Sequence, residues 1–451
     1  MDYDVVVIGA GAAGEAAGSL GGHLGARVAV VERDLVGGLC AFWACMPSKT
    51  LLDGAGRRHL GADYAWPRAS DRRDWMISRE GLDYPDDSGH IRALHDAGAE
   101  VVKGSARIVE AGRVEVRSDG GPPRTLEARS LVLSVGSQAV IPSIDGLEQA
   151  GYWTSNDGTA LRELPSSILV LGGGAVGVEL AQVYARFGVK TTLVQGGDRL
   201  LPRDHPRNGE VLQIQLEEEG VDVRTGVQAK SVRAGGPGRV VGLSDGSSVE
   251  AAQLLVAVGR RPSDLAALGA AEAGVELNDR GAATPDAQMR VGHGVFVAGD
   301  CAGGMQFTHV ADYTGRIAVR AALGHQVRAD LRSVPRTTFT DPETSAVGLT
   351  VEEAWYQGLD AFEVSQDFAT TARGYTIEGS RGHITAVIDR ERRTLVGAFA
   401  ACPGASEMIH EAVLAIKRAI PVPVLADTIH AFPTAARVFG NVMAEATRQL
   451  G

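Results

Sequence analysis

Two cysteines, Cys40 and Cys45, stand in the run Gly37-Gly38-Leu39-Cys40-Ala41-Phe42-Trp43-Ala44-Cys45-Met46-Pro47-Ser48-Lys49. At that spacing one helical turn would bring the two sulfurs together, where a disulfide can form and break. Two small apolar cysteines in a core helix would show the same spacing. The chain has 4 cysteines in 451 residues, the others being Cys301 and Cys402. That is no disulfide scaffold, so any disulfide is expected to be redox-active rather than structural. Cys301 and Cys402 stand singly and are read as buried or adventitious.

A second kind of chemistry comes from two glycine-rich loops. The apolar run Val5-Val6-Val7-Ile8 leads directly into Gly9-Ala10-Gly11-Ala12-Ala13-Gly14. An Ala-rich helix is expected over Glu15 to Leu20, and a second strand over Val28 to Val31, ending in Glu32. Gly9 permits a tight turn, Gly11 lets the backbone approach a pyrophosphate, and Gly14 lets helix and strand pack closely. Glu32 can accept hydrogen bonds from a ribose. The pattern recurs. Ile168-Leu169-Val170-Leu171 precedes Gly172-Gly173-Gly174-Ala175-Val176-Gly177, with a helix from Val178 and a strand over Thr191 to Val194. Gly172 stands as far before Gln195 as Gly9 stands before Glu32. Two such units predict two dinucleotides, and FAD beside NAD(P)H makes a hydride relay the natural reading. Gln195 can bond ribose hydroxyls yet brings no charge to repel a 2′-phosphate. No Arg adjoins it, since Gly196 and Gly197 follow and Arg199 is further on, so NADH and NADPH both stay open.

The elements that must position these residues belong to a folded protein. Charged residues make up 22% and hydrophobic ones 44%, which excludes a disordered chain. The formal net charge of −11 argues against nucleic acid or anionic membrane as a partner. Gly is frequent, 58 residues, without the three-residue period of collagen. No run of about 18 apolar residues predicts a transmembrane helix. The start, Tyr3-Asp4-Val5, lacks a secretory pattern, so a cytoplasmic location is expected.

The cysteine segment resembles the active-site motif of the class I pyridine nucleotide-disulfide oxidoreductases, the group of dihydrolipoamide dehydrogenase, glutathione reductase and mercuric reductase. Val258-Gly259-Arg260-Arg261-Pro262 resembles the family's GRxP segment. Val297-Ala298-Gly299-Asp300 and Gln306-Phe307-Thr308-His309-Val310-Ala311 resemble its second FAD motif. Thr338 to Glu343 and Val347 to Thr350 resemble the start of its dimerisation domain. The resemblance implies an α/β fold with two Rossmann-like dinucleotide-binding domains, for FAD and NAD(P), and an α+β C-terminal dimerisation domain. It implies a homodimer with shared active sites. Cys45 would be the thiol nearest the flavin, making the charge-transfer contact, and Cys40 the outer thiol that exchanges with substrate. Lys49 and Glu179 match the buried ion pair beside the flavin ring, and Asp300 the residue that binds the ribityl chain. Ala12, Ala13, Arg33, Gly38, Gly104, Gly136, Gly259, Gln306, Phe307 and Thr308 complete the expected cofactor contacts, with Gly174 and Gly177 on the nicotinamide side. No metal site is expected.

The boundaries follow. Residues 1–144 form the first part of the FAD domain, 145–262 the NAD(P) domain, 263–331 the remaining FAD and central part, and 332–451 the interface domain. Strands are expected around Ala386 to Ile388 and a helix around Ser406 to Arg418. Gly120-Gly121-Pro122-Pro123 and Gly235-Gly236-Pro237-Gly238 read as hairpin turns. Trp66 to Ser88, rich in charge and holding Gly81 and Pro85, reads as a loop shaping access to the site.

The pattern departs from the family near its end. There dihydrolipoamide dehydrogenase and glutathione reductase carry a His-Pro segment, with a Glu five residues later, that moves protons for the thiols. In Ile429-His430-Ala431-Phe432-Pro433-Thr434-Ala435-Ala436-Arg437, Phe432 takes the place of the His and Arg437 that of the Glu. Phe cannot transfer a proton, and such catalysis typically contributes about 10²–10⁴-fold. His430 or His309 could serve instead, or His430 is purely structural. Arg437 could recognise a carboxylate or phosphate, or pair structurally. Thr447 to Gly451 carries no cysteine, so mercury reduction fits poorly. A related oxidoreductase/carboxylase that cleaves 2-ketopropyl-coenzyme M shares Phe at this place, which suggests chemistry where protons are unwelcome, such as C–S cleavage. The sequence therefore predicts an FAD- and NAD(P)H-dependent oxidoreductase that passes electrons through Cys40 and Cys45 to a small sulfur-containing substrate. A flavin reductase of quinone, metal ion or oxygen, and a redox sensor, are the alternatives.

Overall fold

The computed structural model describes residues 1–78, 84–118, 120–236, 238–278 and 281–451. Two compact units are present. The first comprises residues 1–50, 70–140 and 259–330, and the second residues 51–69, 141–258 and 331–451.

The first unit is built on a sheet whose strands run in the order Arg290–Gly292, Val295–Val297, Arg124–Leu133, Tyr3–Ile8, Val28–Glu32, Ala99–Lys103. Tyr3–Ile8 lies parallel to both Val28–Glu32 and Arg124–Leu133. Continuous apolar runs suit strands covered on both faces, and Val5, Val6 and Val7 are fully buried. The helices Ala12–His23 and Thr308–Ala322 pack together near this sheet, with the carbonyl of Ala13 tight against Gly315.

The second unit holds a four-stranded parallel sheet in the order Asp222–Thr225, Lys190–Gln195, Ser167–Leu171, Gln253–Val256. It also holds a five-stranded antiparallel sheet in the order Arg336–Thr338, Thr344–Gly348, Thr394–Ala401, His383–Asp389, Ala361–Asp367. The helices Ala405–Arg418 and Ala435–Leu450 bury Ile409, Val438, Phe439 and Met443 in a core with Ile384, Ile388 and Ala400 of that sheet.

The expected strands and helices are present, including both strand–loop–helix–strand units, and both glycine-rich turns join antiparallel strands. Pro237 of the second turn lies outside the described residues. The access loop expected over Trp66 to Ser88 is corrected. Residues Trp66–Ser78 form a helix. Its charged residues occupy turns of a helix that is anchored at its start, where Trp66 and Ala69 are buried. The Trp66 indole donates to the Arg162 carbonyl at 3.0 Å and meets the Phe187 ring edge-on. Pro67 is tolerated because it sits in the first turn. Pro85 falls beyond the helix, and Gly81 lies outside the described residues. No helix among the described residues is long and apolar enough to cross a membrane.

The second unit stores a pH dependence. His383 is wholly buried, with Nδ1 2.7 Å from Thr385 Oγ1 and Nε2 2.9 Å from Asn208 Oδ1. Burial, and then the charges of Arg207 and His205, push its pKa down to about 2. Glu363, the nearby carboxylate, is held by His205 at 3.0 Å. An unfolded His binds its proton near about pH 6.5. Between those values the unfolded chain takes up a proton that the folded one refuses, so stability is lost as pH falls from about 6.5. Denaturant unfolding of the wild type between pH 6 and 4 should lose about 1.4 kcal/mol per pH unit more than that of His383→Gln. Equal slopes would show that His383 is not the group responsible.

Candidate functional site

The glycine loops show what they can hold. Gly9 takes a φ of 98°, and a Cβ on Gly14 would stand 1.8 Å from the Gly9 carbonyl oxygen. Opposite Gly11, the N-cap of Ala12–His23, the space within 4 Å of an added Cβ is open. The helix start thus faces open space with its N–H groups, the setting a pyrophosphate requires. The second loop repeats this. Gly172 has a φ of 111°, a Cβ on Gly177 would stand 1.9 Å from the Gly172 oxygen, and Gly174 faces open space. The strand-end side chains are also equivalent. Glu32 Oε2 accepts the Ala10 N–H at 2.7 Å, and Gln195 Oε1 accepts the Gly173 N–H at 2.8 Å. The residues present therefore fit a dinucleotide at each loop.

The remaining cofactor-side residues surround the first loop or its sheet. Gly38 lies against Gly11, since a Cβ on Gly38 would come 2.9 Å from the Gly11 Cα. The Gly104 N–H donates to the Glu32 carbonyl, and the Gly136 carbonyl accepts from Ser263. Gly259 has a positive φ and open space beside it. Arg33 is exposed and turned to Asp34 at 3.0 Å. Gln306 and Phe307 precede the helix Thr308–Ala322, with Phe307 as its N-cap and its ring stacked on His309.

The cysteines meet across a break rather than along one helical turn. Cys40 lies in the short helix Gly38–Phe42, and Cys45 opens the helix Cys45–His59. Neither is in a disulfide. Thr308, the first residue of its helix, stands between them. Its hydroxyl donates to Cys40 Sγ at 3.1 Å and lies 3.4 Å from Cys45 Sγ. The hydrogen bond from Cys45 and then burial push the Cys40 thiol up, while the Thr308 hydrogen bond and the Lys49 charge pull it down. Two adjacent thiols that resist double ionisation are the physical content of that shift. Lys49 Nζ also reaches Ser48 Oγ at 3.4 Å.

Three residues of the same unit complete the surroundings. Ser137 Oγ donates to the Asp300 carboxylate. Arg260 donates from Nε to Ser137 Oγ at 2.8 Å and from Nη2 to the Ser137 carbonyl at 2.6 Å. Burial lowers the Arg260 pKa, against the charges of Asp300 and Cys45. Sequence reasoning named the GRxP segment but not Arg260 as a site residue, and missed Ser137 altogether. The motif Arg was a usable signal, whereas Ser137 had none. Cys301 and Cys402 are buried, and burial raises their thiols to about 11 and about 12.

The second unit carries the rest. Glu179 is buried in the helix Ala175–Arg186, and its Oε1 accepts the Phe339 N–H at 2.9 Å. His430 does not project freely. Its side chain is 5% exposed, and Nε2 reaches both Glu411 carboxylate oxygens, at 3.0 and 2.9 Å. Its Nδ1 is buried against Gly440 and has no hydrogen-bond partner among the described residues. Glu411 was not foreseen, because it lies on the separate helix Ala405–Arg418. Phe432 is 73% exposed. Arg437 is exposed in the first turn of Ala435–Leu450, where its backbone N–H donates to the N-cap Thr434 hydroxyl.

Comparison with known proteins agrees with this geometry. Residues 3–315 match the pyridine nucleotide-disulphide oxidoreductase family, and residues 334–443 match that family's dimerisation domain. The chain is 30% identical to a dihydrolipoyl dehydrogenase of Bacillus subtilis, covering 97% of this chain and 95% of that protein. It is 33% identical to a mercuric reductase of Streptomyces lividans, covering 96% and 94%. Among solved structures, the Cu(II) complex of the HOCl-induced flavoprotein disulfide reductase RclA from Escherichia coli superposes with a TM-score of 0.88. It is 27% identical, with 99% of each chain covered. The chain belongs to the pyridine nucleotide-disulphide oxidoreductases, α/β enzymes that depend on FAD and use NAD(P)H.

Proposed function

We propose that the chain reduces a specialised sulfur-containing substrate through Cys40 and Cys45, without the His–Glu acid–base pair of its disulfide-reducing relatives. The observation that carries this reading is the thiol pair gathered on the Thr308 hydroxyl, at 3.1 and 3.4 Å. Phe432, at the place of the base, has no proton to give, and His430 is committed to Glu411. FAD, when bound, supplies two-electron transfer between the nicotinamide and the cysteine pair.

The chain's own residues handle the protons. In the reduced pair one proton stays with the two sulfurs, because adjacent thiolates repel. In the proposed step that proton sits on Cys40 and Cys45 carries the charge, the direction in which the Cys45 hydrogen bond and burial push the Cys40 thiol. When Cys40 attacks a substrate disulfide, its proton passes to the first leaving thiolate. Cys45 then attacks Cys40 in the mixed disulfide, restores the Cys40–Cys45 bond and releases the second thiolate, which solvent protonates. Without a protein acid, the rate leans on the leaving group, and thiols of low pKa leave faster. The favoured substrates are therefore disulfides of acidic thiols rather than aliphatic ones.

A second reading is favoured by the same sulfur geometry. Two soft donors side by side can hold one thiophilic metal ion, and RclA is known as a Cu(II) complex. Oxidation of both thiols to the disulfide would reduce two Cu(II) ions to Cu(I).

A second copy of the chain completes the site in this proposal. Leu414, Val424, Ile429 and Phe432 are exposed apolar side chains on the matched dimerisation domain, with Ile429 97% exposed. The dimer would bring the segment around Phe432 to the partner's thiols, in the same compartment as other cytoplasmic thiol chemistry.

NADPH- or NADH-driven reduction of dithiobis(nitrobenzoate) should exceed that of lipoamide by at least about 10-fold. Cys40→Ser and Cys45→Ser should each abolish it. Full turnover in Cys45→Ser with Cu(II) or a quinone would mean that electrons leave without the thiols. Thr308→Val should slow alkylation of the reduced enzyme by iodoacetamide at pH 7 by about 2- to 10-fold and move its pH profile upward, since one hydrogen bond to sulfur is lost. An unchanged profile would remove Thr308 from the account. Ile429→Asp with Phe432→Asp should yield monomers by sedimentation, and a persistent dimer would place the interface elsewhere.

A further inference from the structure

Cys40 belongs to the five-residue helix Gly38–Phe42, which is too short to hold its own position. Its anchoring comes from outside. Gly37 and Gly38 lead into it with φ of 112° and 63°, values that favour glycine. The Gly37 N–H donates to the Ala10 carbonyl at 2.8 Å, and a Cβ on Gly38 would come 2.9 Å from the Gly11 Cα. The entry thus lies on the first dinucleotide loop. At the other end Phe42 is buried, and its ring meets that of His90 with centroids 5.6 Å apart. A Cβ on Gly37 would stand 3.0 Å from both His90 Cε1 and Phe42 Cε2. His90 therefore sits against the residue before the helix and against its last residue.

His90 is held from the other side. Its Nδ1 lies 2.7 Å from Glu15 Oε1, in the first turn of the helix Ala12–His23. Both side chains are partly exposed, so the pair acts by geometry rather than as a strong ion pair. The helix that carries His90, Ser88–Asp96, is docked on the same helix Ala12–His23. A Cβ on Gly18 would come 3.0 Å from Leu94 Cδ2, and one on Gly22 would come 2.1 Å from the Ala97 carbonyl oxygen. Leu94, four residues after His90 and so on the same face, is buried. An Asp at an N-cap ordinarily accepts from its own helix. The N-cap Asp87 makes no such bond; its Oδ2 accepts the Val36 N–H at 2.9 Å and Lys103 Nζ at 3.0 Å. That carboxylate holds the stretch leading to Cys40 instead.

Two supports of the Cys40 sulfur converge on one helix. Ala12–His23 carries Glu15, which holds His90, and Ala13, whose carbonyl is tight against Gly315 in the helix of Thr308. Thr308 in turn donates to Cys40 Sγ at 3.1 Å. A hydrogen bond weakens steeply when its donor and acceptor are misaligned, so this one needs both supports. We propose that His90 is a positioning residue for Cys40: through Glu15 it fixes the helix Gly38–Phe42 where the Thr308 hydroxyl reaches the sulfur. The inference deepens the proposed thiol chemistry and rests on it only for the role of Cys40 as the attacking sulfur.

The test is alkylation of the reduced, FAD-loaded protein by iodoacetamide, followed at Cys40 by peptide mass spectrometry across pH. His90→Leu removes the bond to Glu15 and keeps an apolar side chain against Phe42. In it Cys40 should react about 2- to 10-fold more slowly at pH 7, with its pH profile moved upward, because the Thr308 hydrogen bond is lost. His90→Asn, whose amide nitrogen can stand in for Nδ1, should return rate and profile to within about twofold of wild type. Adding His90→Leu to Thr308→Val should slow Cys40 by less than about twofold beyond Thr308→Val alone, since the bond that His90 supports is already gone. Additive losses, an unchanged Cys40 in His90→Leu, or faster alkylation with an unmoved profile would each overturn the proposal. If His90→Leu does not hold FAD, Glu15→Ala removes the same bond and is read by the same outcomes. Reoxidation of the reduced wild type by dithiobis(nitrobenzoate) is scored separately. Its absence would sink the disulfide chemistry, and the alkylation result would still decide the role of His90.

Discussion

A Cβ at Gly14 would stand 1.8 Å from the Gly9 carbonyl oxygen, and one at Gly177 would stand 1.9 Å from that of Gly172. Only glycine lets a helix begin this close to the end of a parallel strand. In the first unit the consequences run from loop to chemistry. The helix Ala12–His23 is held at the strand end, and its Ala13 carbonyl sits where a Cβ on Gly315 would come within 2.3 Å. That second close approach fixes the helix Thr308–Ala322, whose first residue carries the hydroxyl between the two sulfurs. Backbone contacts at Gly14 and Gly315 thus connect the dinucleotide loop to the helix that carries Thr308.

The thiol pair draws its properties from what surrounds it unequally. Burial and the neighbouring sulfur resist a second negative charge, while Thr308 and Lys49 favour the first. One negative charge on two sulfurs is the state a two-electron, one-proton reduction of their disulfide delivers. Arg260 adds a half-buried positive charge on the Cys45 side, anchored through Ser137 to Asp300. The cluster links a residue after the first sheet's central strand, one from the GRxP segment and one from the segment Gly299–Ala302. Three stretches far apart in the chain thereby share a single electrostatic arrangement.

Much of this was legible from the residues. Glycine spacing announces both loops, because the backbone geometry admits no substitute at Gly9, Gly14, Gly172 and Gly177. The Cys spacing announced a pair, but not the break after Phe42 that separates the helices Gly38–Phe42 and Cys45–His59. Trp66 to Ser88 reads as a loop from its charges, Gly81 and Pro85, yet residues Trp66–Ser78 form a helix. Its helix depends on tertiary burial, which local composition does not record. The Glu411 partner of His430 was invisible for a similar reason, since pairing across helices leaves no fixed spacing. Thr308 was assigned to the cofactor by resemblance, and only the fold puts its hydroxyl between the sulfurs.

The His430–Glu411 pair holds a His and a carboxylate together beside the expected place. The Glu411 carboxylate meets Nε2, and the other ring nitrogen is closed off by Gly440, where a Cβ would come within 2.7 Å of Nδ1. One ring nitrogen thus meets a carboxylate, and the other is buried without a hydrogen-bond partner among the described residues. The pair instead ties the segment before Phe432 to the helices Ala405–Arg418 and Ala435–Leu450. A segment held in this way presents Ile429 and Phe432 outward. On the proposed dimer those apolar side chains would exclude water from the neighbouring thiols. Such an environment suppresses adventitious proton exchange, which suits a first step whose proton passes from Cys40 to the leaving thiolate.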